Sequence, residues 1–334
     1  MTYQPRSMLV TGGAGFIGAN FIRHVLAHEP NIHIINLDKL TYAGSLDYLK
    51  DLPQNRYHFI RGDITDAAQV RHLLQHNHID TIVHFAAESH VDRSIAGPAD
   101  FVQTNLLGTF TLLEAARHHW FEVENSEPAH CRFHHISTDE VYGSLNSNDP
   151  GFTENTPYDP RSPYSATKAG SDHLINAYYH TYGLPVTISN CSNNYGPYQH
   201  AEKFIPTIIR SCLNWQRIPV YGNGKNIRDW LYVEDHCRGI LQIIKQGKMG
   251  DKYNLGGNNE WENIALARLI CDAFDKLIPR NESYSSLLEF VTDRPGHDFR
   301  YAIDSSKIKR ELDWEPKETL ESGLKKTIEF YQHL

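Results

Sequence analysis

Thr11-Gly12-Gly13-Ala14-Gly15-Phe16-Ile17-Gly18 follows a short apolar run, Ser7–Thr11, and opens a stretch with apolar residues at helical spacing, Phe16–His28. Gly12, Gly15 and Gly18 permit a tight turn, and they let backbone N–H groups and the positive end of a helix approach a pyrophosphate. A glycine triplet alone could be an ordinary turn. Here the next apolar run, Ile32–Asp38, ends about twenty residues further on in a carboxylate able to accept hydrogen bonds from the hydroxyls of an adenosine ribose. That charge would repel a 2′-phosphate, which favours NAD over NADP.

Further apolar, β-rich runs follow at Tyr57–Asp63, Thr81–Ala87, Cys131–Thr138 and Val186–Ser192. Between them, Asp66–Gln75, Ala99–His118 and Tyr164–Tyr182 carry apolar residues at helical spacing. Repeated βα units predict an α/β fold: a doubly wound parallel sheet whose ligands sit beyond the carboxyl ends of its strands. After about Asn193, Gly, Pro and Asn become frequent and the helical patterns shorten. The chain therefore divides into a dinucleotide-binding domain over residues 1–192 and a smaller substrate lobe over 193–334. Within the latter, 229–256 reads as helix then strand and returns to the sheet.

Composition narrows the function. With 334 residues, 40% hydrophobic and 22% charged, the chain can bury a large core. A net charge of -8 argues against a nucleic-acid binder, which needs a basic face. The apolar runs are too short for a membrane span, and the N-terminus lacks a basic region followed by an apolar stretch, so a cytoplasmic protein is expected. Five scattered cysteines without CxxC spacing read as reduced, buried thiols. The 20 histidines include His76/His78, His118/His119 and His134/His135, but none has HExxH spacing, and no metal is expected.

The chemistry concentrates at run ends. Asp63-Ile64 could face an adenine, or Asp63 could cap the helical segment after it. Ala86-Ala87 could lie beside the nicotinamide half, pack a strand tightly on a helix, or both. Tyr164 and Lys168, four residues apart, share one helix face, where an ammonium can bring a phenol's pKa toward the working range. Alone, such a pair could be surface decoration. Thr138-Asp139-Glu140 puts two adjacent carboxyls at the same edge as the nicotinamide. They could be helix caps or solvated charges; read functionally, one stays protonated as a general acid and the other ionised as a base, a pair suited to eliminating water.

Taken together, Gly12–Gly18, Asp38–Gly44, Ala86–Ser94, Thr138–Gly143, Tyr164–Lys168, Asp293–His297 and Leu312–Pro316 resemble the dTDP-glucose 4,6-dehydratase family of extended short-chain dehydrogenases/reductases. Related 4-epimerases generally lack the Asp-Glu pair, and related decarboxylases carry Ser-Glu, so Asp139 discriminates. The resemblance implies that Thr138, Asp139, Glu140, Tyr164 and Lys168 convert dTDP-glucose to dTDP-4-keto-6-deoxyglucose through C4 oxidation, C5/C6 elimination and hydride return. Alternatives are the same dehydration of CDP- or UDP-glucose, or a UDP-sugar 4-epimerase. It also implies that Lys39, Thr41, Ala43, Gly44, Thr104 and Asn194 join Phe16 and Ile17 around NAD, and that Ser89 and Asn193 touch sugar or phosphates. Lys203, Arg228, Asn263, Arg294 and His297 would hold the nucleotide diphosphate, with Pro219-Val220-Tyr221 along the base. Phe204 stands where relatives usually carry leucine, and Ser45 where they often carry asparagine. A homodimer packed through Ala99–His118 and Tyr164–Tyr182 is likewise implied.

Overall fold

Six strands alternate with helices through the first half of the chain. They are β1 (Ser7–Thr11), β2 (His33–Asp38), β3 (Tyr57–Arg61), β4 (Thr81–His84), β5 (Arg132–Thr138) and β6 (Val186–Cys191). The computed structural model describes residues 2–293 and 297–333, so the expectation for Arg294 falls outside the described residues. The helices of this half are α1 (Phe16–His28), α2 (Ala67–His76), α3 (Val91–Ala96), α4 (Ala99–Phe101), α5 (Thr109–Arg117) and α6 (Pro163–Tyr182).

The second half adds strands β7 (Asn193–Tyr195), β8 (Ile218–Tyr221), β9 (Ile227–Tyr232), β10 (Lys252–Leu255), β11 (Glu260–Glu262) and β12 (Leu288–Val291). Its helices are α7 (Phe204–Asn214), α8 (Val233–Gln246), α9 (Asn263–Leu277), α10 (Ser306–Leu312) and α11 (Leu320–Gln332).

One parallel sheet of seven strands, ordered β10-β6-β5-β4-β1-β2-β3, forms the centre. The chain runs outward from β1 to β3, returns to β4 and runs outward the other way, so the order reverses between β1 and β4. A crevice opens there at the carboxyl edge. Buried strands of this kind need apolar cover on both faces. One core unites α1, α8 and Trp314 against the sheet, and the other unites α2, α5 and α6. The segment around 229–256 forms the end of β9, α8 and β10, and β10 pairs with β6 at the sheet edge. A third core, with Trp230, Phe274 and Tyr284, holds α7, α9 and α11 together.

Two run ends differ from the sequence reading. β3 stops at Arg61 and β4 at His84, because their partners β2 and β1 end at Asp38 and Thr11. Asp63 and Ala86-Ala87 therefore stand in loops just past the strands. The pattern over Ala99–His118 is also not one regular helix: wider π-type turns occupy Val102–Gly108 and His118–Val123. The Thr109 and Thr111 hydroxyls donate to the carbonyls of Asn105 and Leu107 four residues back, a contact that loosens helical backbone bonding.

Several histidines are structural. The His84 ring bridges the hydroxyls of Thr11 and Thr109 at 2.8 and 2.9 Å, and His134 bridges Thr187 and Ser189. Burial holds His84 and His134 well below the usual imidazole range, and His135 and His236 fall to about 4 and about 3. The unfolded chain, with histidine near ~6.5, takes up protons that the folded chain refuses, so stability is intact above that pH and falls as pH drops below it. Melting curves should show the midpoint declining from about pH 6.5 downward, and His134→Gln should flatten that decline, since each refused proton contributes at most ~1.4 kcal/mol per pH unit; an unchanged slope would remove His134 from the cause.

Candidate active site

The glycine turn is built for close approach. Gly12 has φ +71°, and a Cβ there would lie 2.6 Å from the Ala86 nitrogen. At Gly18 a Cβ would lie 2.4 Å from the Gly12 carbonyl oxygen. Gly15 caps α1 with no side-chain hydrogen bond, and no acid stands in the first helical turn. The positive helix end is thus left for an anion. Asp38 accepts from the backbone N–H of Ala14 at 2.9 Å and of Leu40 at 2.8 Å, which ties the end of β2 to the glycine turn. Burial raises its carboxyl above the ordinary value despite those two bonds. Together, the uncapped helix end, the glycines without room for a side chain and the acid beside them fit a dinucleotide.

A cleft of about 330 Å³ lies at this carboxyl edge and gathers the residues expected to surround the cofactor, from Gly12 through Asp38, Asp63, Ala86 and Thr104 to Asn194. Thr138, Asp139, Glu140, Tyr164 and Lys168 line its other side, with Ser89, Asn193 and Lys203 at the substrate end. Asp63 does not cap α2. Asp66 does, accepting from Ala68 and Gln69, while Asp63 pairs with Lys39 at 2.8 Å.

Asp139 follows β5 directly and is buried. Burial first, then the charges of Glu140 and Asp229, push its carboxyl well above the ordinary range, with Arg228 opposing. Glu140 beside it is half-buried. The Thr138 hydroxyl donates weakly to Asp139, at 3.4 Å.

Tyr164 and Lys168 do face one way on α6, but not as a simple ion-assisted phenol. Burial, then the charge of Glu140, drives the Tyr164 phenol well above its ordinary value, and the opposing influence is a hydrogen bond with Thr138. Lys168 Nζ instead donates to the Ile136 carbonyl at 2.7 Å and lies 3.3 Å from His135 Nε2. The ammonium thus faces the strand. Burial lowers Lys168 itself to about 8.

Several substrate expectations lie off this cleft. Arg228 donates to the carbonyls of Ile227, Asp298 and Phe299 and sits over the Tyr301 ring at 4.2 Å. Val220 is wholly buried where β8 pairs with β12, which leaves half-buried Pro219 and exposed Tyr221 to reach a base. Phe204 stacks on Trp230 at 6.3 Å, Asn263 begins α9, and His297 bonds Asp293 at 2.7 Å. The cleft also contains Gln199 and His200, which stand in a loop outside the motifs, and Glu88, which lies within Ala86–Ser94 but was given no role from sequence.

A family profile described as GDP-mannose 4,6 dehydratase matches residues 9–327. The dTDP-glucose 4,6-dehydratase of Shigella flexneri is 52% identical, over 97% of this chain and 92% of that protein. The crystal structure of a dTDP-glucose 4,6-dehydratase from Streptomyces venezuelae, with NAD bound, superposes with a TM-score of 0.88 at 44% identity, covering 98% of this chain and 97% of that one. A UDP-glucose 4-epimerase of Thermotoga maritima reaches 0.85 at 25% identity, over 98% and 99%.

Gly12→Ala should weaken NAD binding by at least ~10-fold, about 1.4 kcal/mol, because the turn must move away from Ala86. Fluorescence titration of folded protein with NADH measures this; an unchanged affinity would mean that the turn does not carry the cofactor.

Proposed function

The chain belongs to the family described as GDP-mannose 4,6 dehydratase, its curated relatives are dTDP-glucose 4,6-dehydratases, and we propose that it converts dTDP-glucose to dTDP-4-keto-6-deoxyglucose. It is an NAD-dependent hydro-lyase. The observation that supports the proposed roles best is the buried Asp139, its carboxyl raised well above the ordinary range, in one cleft with half-buried Glu140 and with Tyr164. The epimerase shares nearly the whole fold, so the fold itself does not choose between the two reactions. An acid and a base adjacent at the same edge do, because elimination needs both.

NAD, held by the Gly12–Gly18 turn and Asp38, supplies a hydride acceptor for C4 and a hydride donor for C6. Tyr164, as its phenolate, takes the proton of the C4 hydroxyl, with the Lys168 cation and Thr138 assisting. The ketone so formed acidifies the hydrogen at C5. Glu140 removes it as Asp139 gives its proton to the C6 hydroxyl, which leaves as water. A proton returns to C5 to complete the product. Half-buried Glu140 exchanges the proton it has taken with solvent, so the proton it returns to C5 comes from water.

Ser89 and Asn193 face the sugar or its phosphates, and Lys203 the diphosphate, with Arg228, Asn263, Arg294 and His297 completing the anion site as the substrate lobe settles on it. Pro219 and Tyr221 flank the base. A homodimer is supported by the outer face of the segment between Ala99 and Val123, where Val102, Leu107 and Phe110 are 49, 43 and 43% exposed, together with Tyr182 on α6 at 50%. Solvent-facing apolar side chains on adjacent helices suit a four-helix contact between two copies. Among the described residues no helix is long and apolar enough to cross a membrane. Free, buried cysteines suit a reducing cytoplasm.

Asp139→Asn should slow product formation by ~10²–10⁴-fold while NADH still accumulates in a single turnover, since only the acid is lost. Tyr164→Phe should stop NADH formation at the start. Full turnover by Asp139→Asn would contradict its role as the acid. Phe110→Asp should shift the protein to monomers in sedimentation; an unaltered dimer would place the contact elsewhere.

A further inference from the structure

Lys168 is shut away from water, yet its use at the site depends on its charge. What lies behind it is a chain of buried polar groups. Its Nζ is 3.3 Å from His135 Nε2, and that same nitrogen is 3.3 Å from Asp172 Oδ1. Asp172 stands one helical turn after Lys168 on α6, on the same face. Its side chain, like that of His135, is fully buried. The other carboxylate oxygen, Oδ2, accepts from the Ser137 hydroxyl and the Tyr158 phenol, each at 2.8 Å.

Such a carboxylate is costly in a core unless something needs its charge. Burial would raise Asp172, but the hydrogen bond with His135, the charge of that ring when it is protonated and the charge of Lys168 outweigh it and hold the carboxyl below its ordinary range. The His135 ring is itself brought down to about 4 by burial and by Lys168, so near neutral pH it carries no charge to balance the acid. The titratable groups facing this cluster are His84 on β4, Cys191 on β6, Tyr142 and Tyr158 from the loops after β5, and Lys252 on β10. Among these only Lys252 is a second cation, and its ammonium also lies over the Tyr158 ring at 4.4 Å. The negative charge of Asp172 is therefore matched chiefly by Lys168.

A single ring nitrogen cannot accept from Lys168 and donate to Asp172 at once. Nδ1 of His135 has no hydrogen-bond partner, so nothing on that side fixes the tautomer. Whichever way the proton sits, the ring fills the space between the two charges, excludes water, and leaves them coupled across a medium of low dielectric.

We propose that Asp172, acting across the His135 ring, is a positioning residue that keeps Lys168 charged where it lines the cleft. This rests on the dehydratase reading, in which Lys168 works as a cation.

The test is the pH dependence of NADH formation in a single turnover of the purified protein with dTDP-glucose, which reads the first half-reaction alone. Activity should fall on the alkaline side as Lys168 loses its proton. In Asp172→Asn that fall should begin about one pH unit lower, because an opposite charge has been removed. Asp172→Glu should restore it in part. Lys252→Met, a change at the sheet edge, should move it upward, since a competing cation is gone. A merely structural role would reduce the amount of folded enzyme or the rate at every pH without moving the limb. If Asp172→Asn fails to fold, the Lys252→Met shift decides. An alkaline limb at the wild-type position in the folded variants overturns the proposal. Failure of the wild type to form NADH from dTDP-glucose would instead overturn the functional reading beneath it.

Discussion

Exclusion of water from the carboxyl edge of β5 is the constraint on which the site depends. Asp139, Tyr164 and Lys168 all end in that space, and each is buried. A charge placed there must find a partner or be given up. Burial and the neighbouring acids push the Asp139 carboxyl well above its ordinary range. Burial and the charge of Glu140 do the same to the Tyr164 phenol. Lys168, pulled down to about 8, stands close enough to neutrality for its neighbours to decide its state. One physical effect thus moves three groups that line one cleft, raising Asp139 and Tyr164 and lowering Lys168.

The fold delivers these groups to one edge because its strands run parallel. Every strand of the seven-stranded sheet points its carboxyl end the same way, and the reversal of order beside β1 opens the crevice into which loops from both halves reach. The turn at Gly12 can press against Ala86 only because neither position carries more bulk. β10 matters for a different reason. By pairing with β6 it ties the substrate lobe to the dinucleotide sheet, so the two sides of the cleft are held by one hydrogen-bonded framework rather than by a linker.

Much of this was legible in the chain itself. The bounds of β1 and α1 coincide with the apolar patterns because a short continuous buried run meets a glycine turn and then apolar residues at helical spacing. Boundaries failed where tertiary pairing decides them: β3 and β4 stop when their neighbours stop, whatever their own residues prefer. The segment after Ala99 looked regular because threonine hydroxyls that bond back to the helix leave no trace in periodicity. The cofactor side of the cleft was readable since its residues cluster in short motifs. The Lys168 environment was not. His135 is 33 residues away and meets Lys168 only through the packing of α6 on β5, so the spacing of Tyr164 and Lys168 suggested a partnership that the strand carbonyl of Ile136 takes instead. Arg228 was expected to hold the nucleotide diphosphate; its ties to backbone carbonyls depend on where residues 298 and 299 fold back, which the sequence does not show.

The most direct measurement is the mass of the product formed from dTDP-glucose in D₂O. An acid–base elimination with reprotonation at C5 requires a product lighter than the substrate by one water and carrying one deuterium on the sugar carbon skeleton. A product of the substrate's own mass with no deuterium on carbon would mean that C4 is inverted and the Asp139–Glu140 pair is idle, and it would contradict this account.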